Sequence, residues 1–426
     1  MKKNNNKIII LLCIAMLTLK LSAQTDSLQH YLEIAAKQNP GLKSAYSAYQ
    51  ATLEQKGQVG TLPELQLDMG FYLKPMAIID GNQVADFSVM QMFPWFGTKK
   101  AAQAEINHTA NVAFEKFRET RNQLFLELYT QWFQLANLKQ QSLNLEQHKI
   151  YLQQLERLAS NKYSTANQGT SGISEILRIQ LESMEIDNKM ESLQSAIKAA
   201  TAQFNALLNR PSYTYVHIPD SITQIPFLLD VETAMETVMQ NNPELSMIQE
   251  ETKAFQAKAE ADKKAGMPTW GVGLQYSIIE KRDASVLPVS PMNGMDMVMP
   301  MVSVSIPLYR NKYKAQQQES LYWQQAGNEK YADTYNQLQA ELIAVKHQLE
   351  DAARTIKLIE RQNELAQTTW QLVLNEFATG KSDLSDVIQV QRQLLDYNLK
   401  RSEAIAAFNV EVAKIQKLLS NYKLNN

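Results

Sequence analysis

Cysteine, glycine, proline and net charge are all scarce here: one Cys, 14 Gly, 13 Pro, and 42 basic against 44 acidic residues in a chain of 426. The one cysteine, Cys13, lies in the first apolar run, so a disulfide or thiolate-metal site is excluded further along the chain. So few glycines and prolines disfavour a loop-rich all-β fold and leave room for long uninterrupted helices. The near balance of charge provides no basic face for nucleic acid and no acidic solvating tail. Catalytic patterns are missing as well. The histidines at 30, 108, 148, 217 and 347 show no ligand-type pairing, and neither H-E-x-x-H nor G-x-S-x-G occurs. Gly271-Val272-Gly273 lacks the third glycine of a nucleotide fingerprint. Neither an enzyme nor a cofactor is expected. No apolar run is long enough for a transmembrane helix, so any membrane insertion must use strands.

What is present begins with an export signal. Lys2, Lys3 and Lys7 precede the apolar run 8–19, and Leu21-Ser22-Ala23 offers a cleavage site. Residues 1–23 are therefore expected to be a cleaved signal peptide. Leu12 stands where a lipoprotein signal needs a small residue before Cys13, so no lipid anchor is expected.

The chain is also written twice. Gln38-Asn39-Pro40 recurs as Asn241-Asn242-Pro243, and Pro63 recurs as Pro268. Phe93-Pro94-Trp95-Phe96 recurs as Ile306-Pro307-Leu308-Tyr309, Ser174-Glu175-Ile176 as Ser385-Asp386-Val387, and Leu207-Leu208-Asn209 as Leu418-Leu419-Ser420. Five matches in one order at nearly constant offset mean duplication. The expected organisation is a first repeat at 24–210 with a β-hairpin at 64–93, a linker at 211–229, and a second repeat at 230–426 with a hairpin at 270–306. Segments 98–162, 173–208, 328–379 and 381–426 read as long helices. In the last of these, Val387, Val390, Leu394 and Tyr397 step as a coiled-coil seam, which resumes after a break at Phe408, Val412, Ile415 and Leu419.

The strands alternate. In 65–73 the odd positions Leu65, Leu67, Met69, Phe71 and Leu73 are apolar, and in 270–278 the bulky set is even. Period 2 predicts strands, and the length suits a tilted transmembrane strand of about 9–11 residues. Trp95, Phe96, Trp270 and Tyr309 stand where strands meet helices, as an interfacial girdle requires. A soluble half-buried sheet is the plainer alternative.

Together these features resemble the TolC-type outer-membrane efflux family over essentially the whole mature chain. The matching elements are the early Asn-Pro after a short helix, the Pro before and after each hairpin (Pro63 and Pro94, Pro268 and Pro307), and the turns at 163–172 and 377–385. The resemblance implies a mainly α chain with a small β part, built on a duplicated helix–hairpin–long-helix repeat. It implies a homotrimer with a 12-stranded transmembrane β-barrel in the outer membrane, four strands per chain, above an α-barrel tunnel in the periplasm. Its implied partners are outer-membrane lipid, a periplasmic adaptor (membrane fusion) protein and an inner-membrane pump of the proton-driven type. The function so implied is a passive exit duct for small molecules or metal ions. The competing reading is a soluble periplasmic coiled-coil scaffold or adaptor without transport activity.

Three groups of residues follow. Asp383 and Asp386 begin the last helix, and Glu175 takes the equivalent place in the first repeat. The resemblance places acidic residues near the periplasmic mouth, where Asp386 matches, and helix capping is the alternative role. It also makes Tyr163, Thr165, Gly169, Phe377, Gly380 and Lys381 the adaptor-docking tip. Independently, Met295, Met297, Met299 and Met301 alternate with Val298, Val302 and Val304, and Met90 and Met92 repeat the pattern beside Ser88. Valines suit lipid, which turns the methionines to the lumen. Thioethers suit Cu(I), and the hairpins also resemble the family's heavy-metal branch; adaptable apolar packing is the other use of methionine.

Overall fold

The computed structural model describes residues 28–166, 171–283 and 290–422. The signal segment therefore lies outside the described residues, as does Gly169. In chain order the elements are α1 (Leu28–Gln38), α2 (Pro40–Gly60), β1 (Gln66–Ile78), β2 (Gly81–Phe93), α3 (Thr98–Ala166) and α4 (Ser171–Leu207) in the first repeat. The second contains α5 (Val231–Asn241), α6 (Pro243–Ala265), β3 (Thr269–Glu280), β4 (Met297–Ser305), α7 (Arg310–Ala378) and α8 (Leu384–Leu418).

The recurring tripeptides turn out to be helix punctuation. Asn39 Oδ1 accepts from Leu42 N–H at 3.0 Å, and Asn242 Oδ1 accepts from Glu244 N–H at 2.9 Å. In each case the following Pro occupies a first-turn position where its missing N–H costs nothing. Leu207-Leu208-Asn209 and Leu418-Leu419-Ser420 end α4 and α8, with Asn209 and Ser420 at φ 53° and 51°. One residue later the chain folds back: Arg210 N–H donates to Asn205 O and Asn421 N–H to Gln416 O, both at 3.0 Å. This left-handed closure satisfies carbonyls the helix leaves free.

One expectation is corrected. The second long helix begins at Arg310, not near 328, so α3 and α7 both run 69 residues. Gly327, just before the expected start, lies inside α7. A Cβ there would collide with Thr252 Oγ1 of α6, so the glycine allows a close helix approach rather than a stop.

The chain divides into two compact units, and each takes segments from both repeats. The helical unit comprises Met1–Lys43, Arg121–Val238 and Ala340–Asn426. Leu152, Leu155, Ile179, Ile186, Trp370, Phe377, Val387 and Leu394 form its shared core, fed by the seams of α3, α4, α7 and α8. Tyr31 of α1 is wholly buried in this unit, edge-on to Phe204 at 5.2 Å, with its hydroxyl accepting from His217 N–H at 3.0 Å.

The other unit, Ser44–Thr120 with Met239–Gln339, holds the sheet. Its order is β1-β2-β3-β4, all antiparallel, with β2 of one repeat paired to β3 of the other at the centre. The strands are 13, 13, 12 and 9 residues long. β1 runs on to Ile78 and pairs it with Gly81, so the first connection is the turn Ile79-Asp80, tighter than the alternation implied.

Candidate functional site

The register sorts the sheet into two unlike faces. Leu67, Val89, Leu274 and Pro300 lie in one cross-strand row, followed on the same face by Met69, Phe87, Tyr276 and Val298. Gln91, Val272 and Val302 continue that face, and Val302 is 79% exposed. Pro300 cannot donate to a ladder, and its place in β4, an edge strand of this sheet, is where that loss is tolerated. The opposite face carries the rows Asp68–Ser88–Gln275–Met299 and Gln66–Met90–Gly273–Met301.

Methionines from two strands therefore meet over the glycines of a third. A Cβ on Gly271 would lie 2.5 Å from Met92 Sδ and 3.1 Å from Met90 Sδ, and one on Gly273 would lie 3.0 Å from Met90 Sδ. Met301 pairs with Gly273 from the other side. A sequence scan sees the methionines as two separate ladders. Only the β2–β3 pairing places them about one glycine stripe, and the signal that could have found it was the Gly-x-Gly at 271–273. One position is corrected: β4 starts at Met297, and Met295 lies outside the strand, its N–H bonded to Met292 O in a turn.

At the α7–α8 turn, Gly380 takes φ +76° and Lys381 N–H closes onto Glu376 O at 2.8 Å. Lys381, Asp383 and Asp386 are exposed, and Glu175 is half-buried. Asp383 occupies the N-cap of α8, yet its side chain makes no cap hydrogen bond. Its backbone carbonyl accepts from Asp386 N–H at 3.2 Å, while Asp386 Oδ2 accepts from Ser382 Oγ at 3.3 Å. The Asp383 carboxylate is thus not used as a cap. Phe377 is corrected as a contact residue: it is 1% exposed, under Lys162 Nζ at 4.5 Å from the ring centroid. It anchors the turn from inside the core. Tyr163 is partly exposed on α3, and the side chain of Thr165 falls outside the described residues.

Sequence reasoning missed two features of the helical unit. Arg392 of α8 grips Glu182 of α4 with two donors, the Nε–Oε2 bond being 2.9 Å, and Arg178 donates to Ser385 Oγ at 3.1 Å. His148 of α3 is 1% exposed, with Gln391 Nε2 3.2 Å from Nδ1 and Asn398 Nδ2 3.4 Å from Nε2. A neutral imidazole donates from one nitrogen and accepts at the other, so one of these amides turns its oxygen to the ring. Burial lowers the His148 pKa to about 4. Nothing in the sequence around a lone helix histidine signals this.

Residues 234–421, nearly the whole second repeat, match the family model for outer membrane efflux proteins. No curated protein matches the chain in sequence. Solved structures share the fold across both repeats. The outer-membrane channel OprN superposes with a TM-score of 0.73 at 14% identity, covering 93% of this chain and 90% of its own. VceC, an outer membrane protein of Vibrio cholerae, gives 0.70 at 14% identity with 92% and 95% covered. CusC, described by its folding and transmembrane channel formation, gives 0.71 at 15% identity with 92% and 91% covered. The fold is that of these channels, mostly helical with one small antiparallel sheet, as the resemblance in the sequence implied.

Proposed function

We propose that this chain, with an efflux-family second repeat and the fold of outer-membrane channels throughout, is one protomer of a passive exit duct across the outer membrane. The carrying observation is a sheet that one chain cannot finish. Among the described residues β1 and β4 each have one neighbour, and the face holding Leu67, Leu274 and Val302 is exposed. In hydrocarbon each unpaired backbone group costs several kcal/mol, so strands there must close into a barrel. The helical unit makes the same demand independently. Leu358, Leu365 and Leu372 of α7, seven residues apart, are 56%, 69% and 59% exposed, which is a heptad seam awaiting a partner helix. Three copies satisfy both demands and match the trimer that the family resemblance implies.

A duct has no energy source of its own, which is why an adaptor and a proton-driven inner-membrane pump belong to the reading. Gly380 and Lys381 at the α7–α8 turn are the offered docking surface. Three copies of the exposed Asp383 and Asp386 carboxylates around one axis would concentrate a negative field at the mouth. Purified protein in planar bilayers is expected to conduct with cation preference, weakened by Asp386→Asn. Absence of conductance would leave the scaffold reading. Unchanged selectivity with lowered thermal stability would return Asp386 to a structural role.

A second reading concerns the cargo, and the methionines gathered about Gly271 and Gly273 favour it. Residues two apart on a strand are about 6.6–7 Å apart, so one strand cannot wrap an ion. Neighbouring strands can complete weak sites, and weak, multiple sites suit conduction. A soft ion such as Cu(I) or Ag(I) fits thioethers. Leucine at 90, 92, 299 and 301 keeps bulk and removes sulfur. Such a variant should make cells more copper- and silver-sensitive, with normal assembly and unchanged resistance to organic toxicants. Equal metal tolerance at equal expression would leave these residues as packing.

A further inference from the structure

Where the strands end and the long helices begin, several cations stand without a carboxylate partner among the described residues. Phe93 of β2 stacks on Trp270 of β3 at 4.5 Å between ring centroids, near the helix-proximal end of the sheet's apolar face. Beyond this pair, Trp95 and Phe96 wall a crevice of about 390 Å³, at which Lys99 and Lys100 of α3 also stand. Phe96 is 73% exposed. Lys264, in the last turn of α6, comes up to Gly97, which lines the crevice: its Nζ lies 3.0 Å from where a Cβ on Gly97 would sit. Gly97 has φ +79°, so that position suits glycine and leaves the lysine its room.

Among the described residues, none of Lys99, Lys100 and Lys264 has a carboxylate partner, although Lys258 and Lys263 on α6 pair with Asp262 and Glu260. The position of Lys99 and Lys100 in α3 also works against the helix. A helix N-terminus carries partial positive charge and favours acidic residues. α3 opens Thr98-Lys99-Lys100 and α7 opens Arg310-Asn311-Lys312, and neither has an acidic residue in its first turn. Both repeats break the same local rule at the same place, and such breaks gather at functional sites. The Thr98 hydroxyl, buried with no hydrogen-bond partner among the described residues, adds another unused polar group.

From these features we infer that the crevice binds the phosphodiester of an anionic phospholipid in the periplasm-facing leaflet. Lys99, Lys100 and Lys264 hold the phosphate, Trp95 and Phe96 hold the glycerol end, and the acyl chains run along the apolar face past Phe93 and Val89. Indole rings favour this depth, with one side apolar and one wet. Lysines there lay their stems on apolar surface and lift the charge to the headgroup. The cationic start of α3 then adds to the attraction for phosphate. The inference rests on the sheet crossing the outer membrane.

Native mass spectrometry of the full-length assembly, titrated with phosphatidylglycerol or phosphatidylcholine, tests it. Wild type should retain phosphatidylglycerol on the order of tenfold or more over phosphatidylcholine. Lys99→Gln with Lys100→Gln and Lys264→Gln should erase the preference, while Lys198→Gln, an exposed lysine in the helical unit, should keep it. Equal retention by wild type and the triple variant overturns the assignment, as does displacement of the lipid by millimolar inorganic phosphate. If the triple variant does not assemble, Lys264→Gln alone carries the test with a several-fold loss. Fractionation of wild-type cells separates the two levels. Absence from the outer membrane removes both readings, whereas a membrane-resident protein whose triple variant keeps its lipid removes only this one.

Discussion

Replacing Leu274 by arginine is expected to abolish accumulation of the protein in the outer membrane, and the same change one residue on, Gln275→Arg, is expected to be tolerated. Leu274 sits at the middle of β3 between Val89 and Pro300 on the apolar face. Gln275 lies between Ser88 and Met299 on the other face. An arginine facing lipid near the bilayer midplane costs about 2–4 kcal/mol. In a trimer every copy bears the cost, for roughly 6–12 kcal/mol per assembly, comparable to the whole stability of an ordinary domain. A lumenal arginine keeps its water and changes selectivity instead. Density-gradient fractionation and unheated SDS gels read the outcome directly. Comparable membrane yields for both variants would mean that the sheet does not cross the membrane, and loss of only the Gln275 variant would mean that the faces are reversed.

The second large effect belongs to pH. His148 is buried and neutral, and its pKa is lowered by burial from 6.5 to about 4. Folding therefore favours the unprotonated ring. Its full contribution is present above the unfolded pKa, declines as pH falls below about 6.5, and is gone once pH passes the folded value near 4. One pKa unit corresponds to about 1.4 kcal/mol, so on the order of 3 kcal/mol per chain is lost across that window. Thermal unfolding between pH 7 and 4 should show this loss, and His148→Gln, which keeps an amide for Gln391 or Asn398, should flatten it. A variant as acid-sensitive as the parent would place the effect elsewhere. Glu250 titrates in a separate window. Burial raises its pKa, but hydrogen bonds from His108, Lys253 and Asn111 outweigh that and hold it at about 2. Its contribution is present above about 4.5 and is lost as pH falls toward 2.

The sequence by itself determined the duplication, the alternation of the strands and the presence of long helices. All of these are local or periodic properties, written in residues a few positions apart. Asn-Pro signals a capped helix start because cap and first turn are adjacent in the chain. Leu65 to Leu73 signals a strand because side chains alternate whatever the strand pairs with. The tertiary structure decided what pairing and burial decide. It joined β2 to β3 across the two repeats and thereby put Met90, Met92 and Met301 about Gly271 and Gly273. It placed Gly327 inside α7, because Thr252 on another helix needs the space a side chain would take. It turned Phe377 from a tip residue into core, and it sealed His148 between amides of a helix far along the chain. Each of these depends on a neighbour remote in sequence. A hydrophobic period specifies which face is buried, but not which residue of another element buries it.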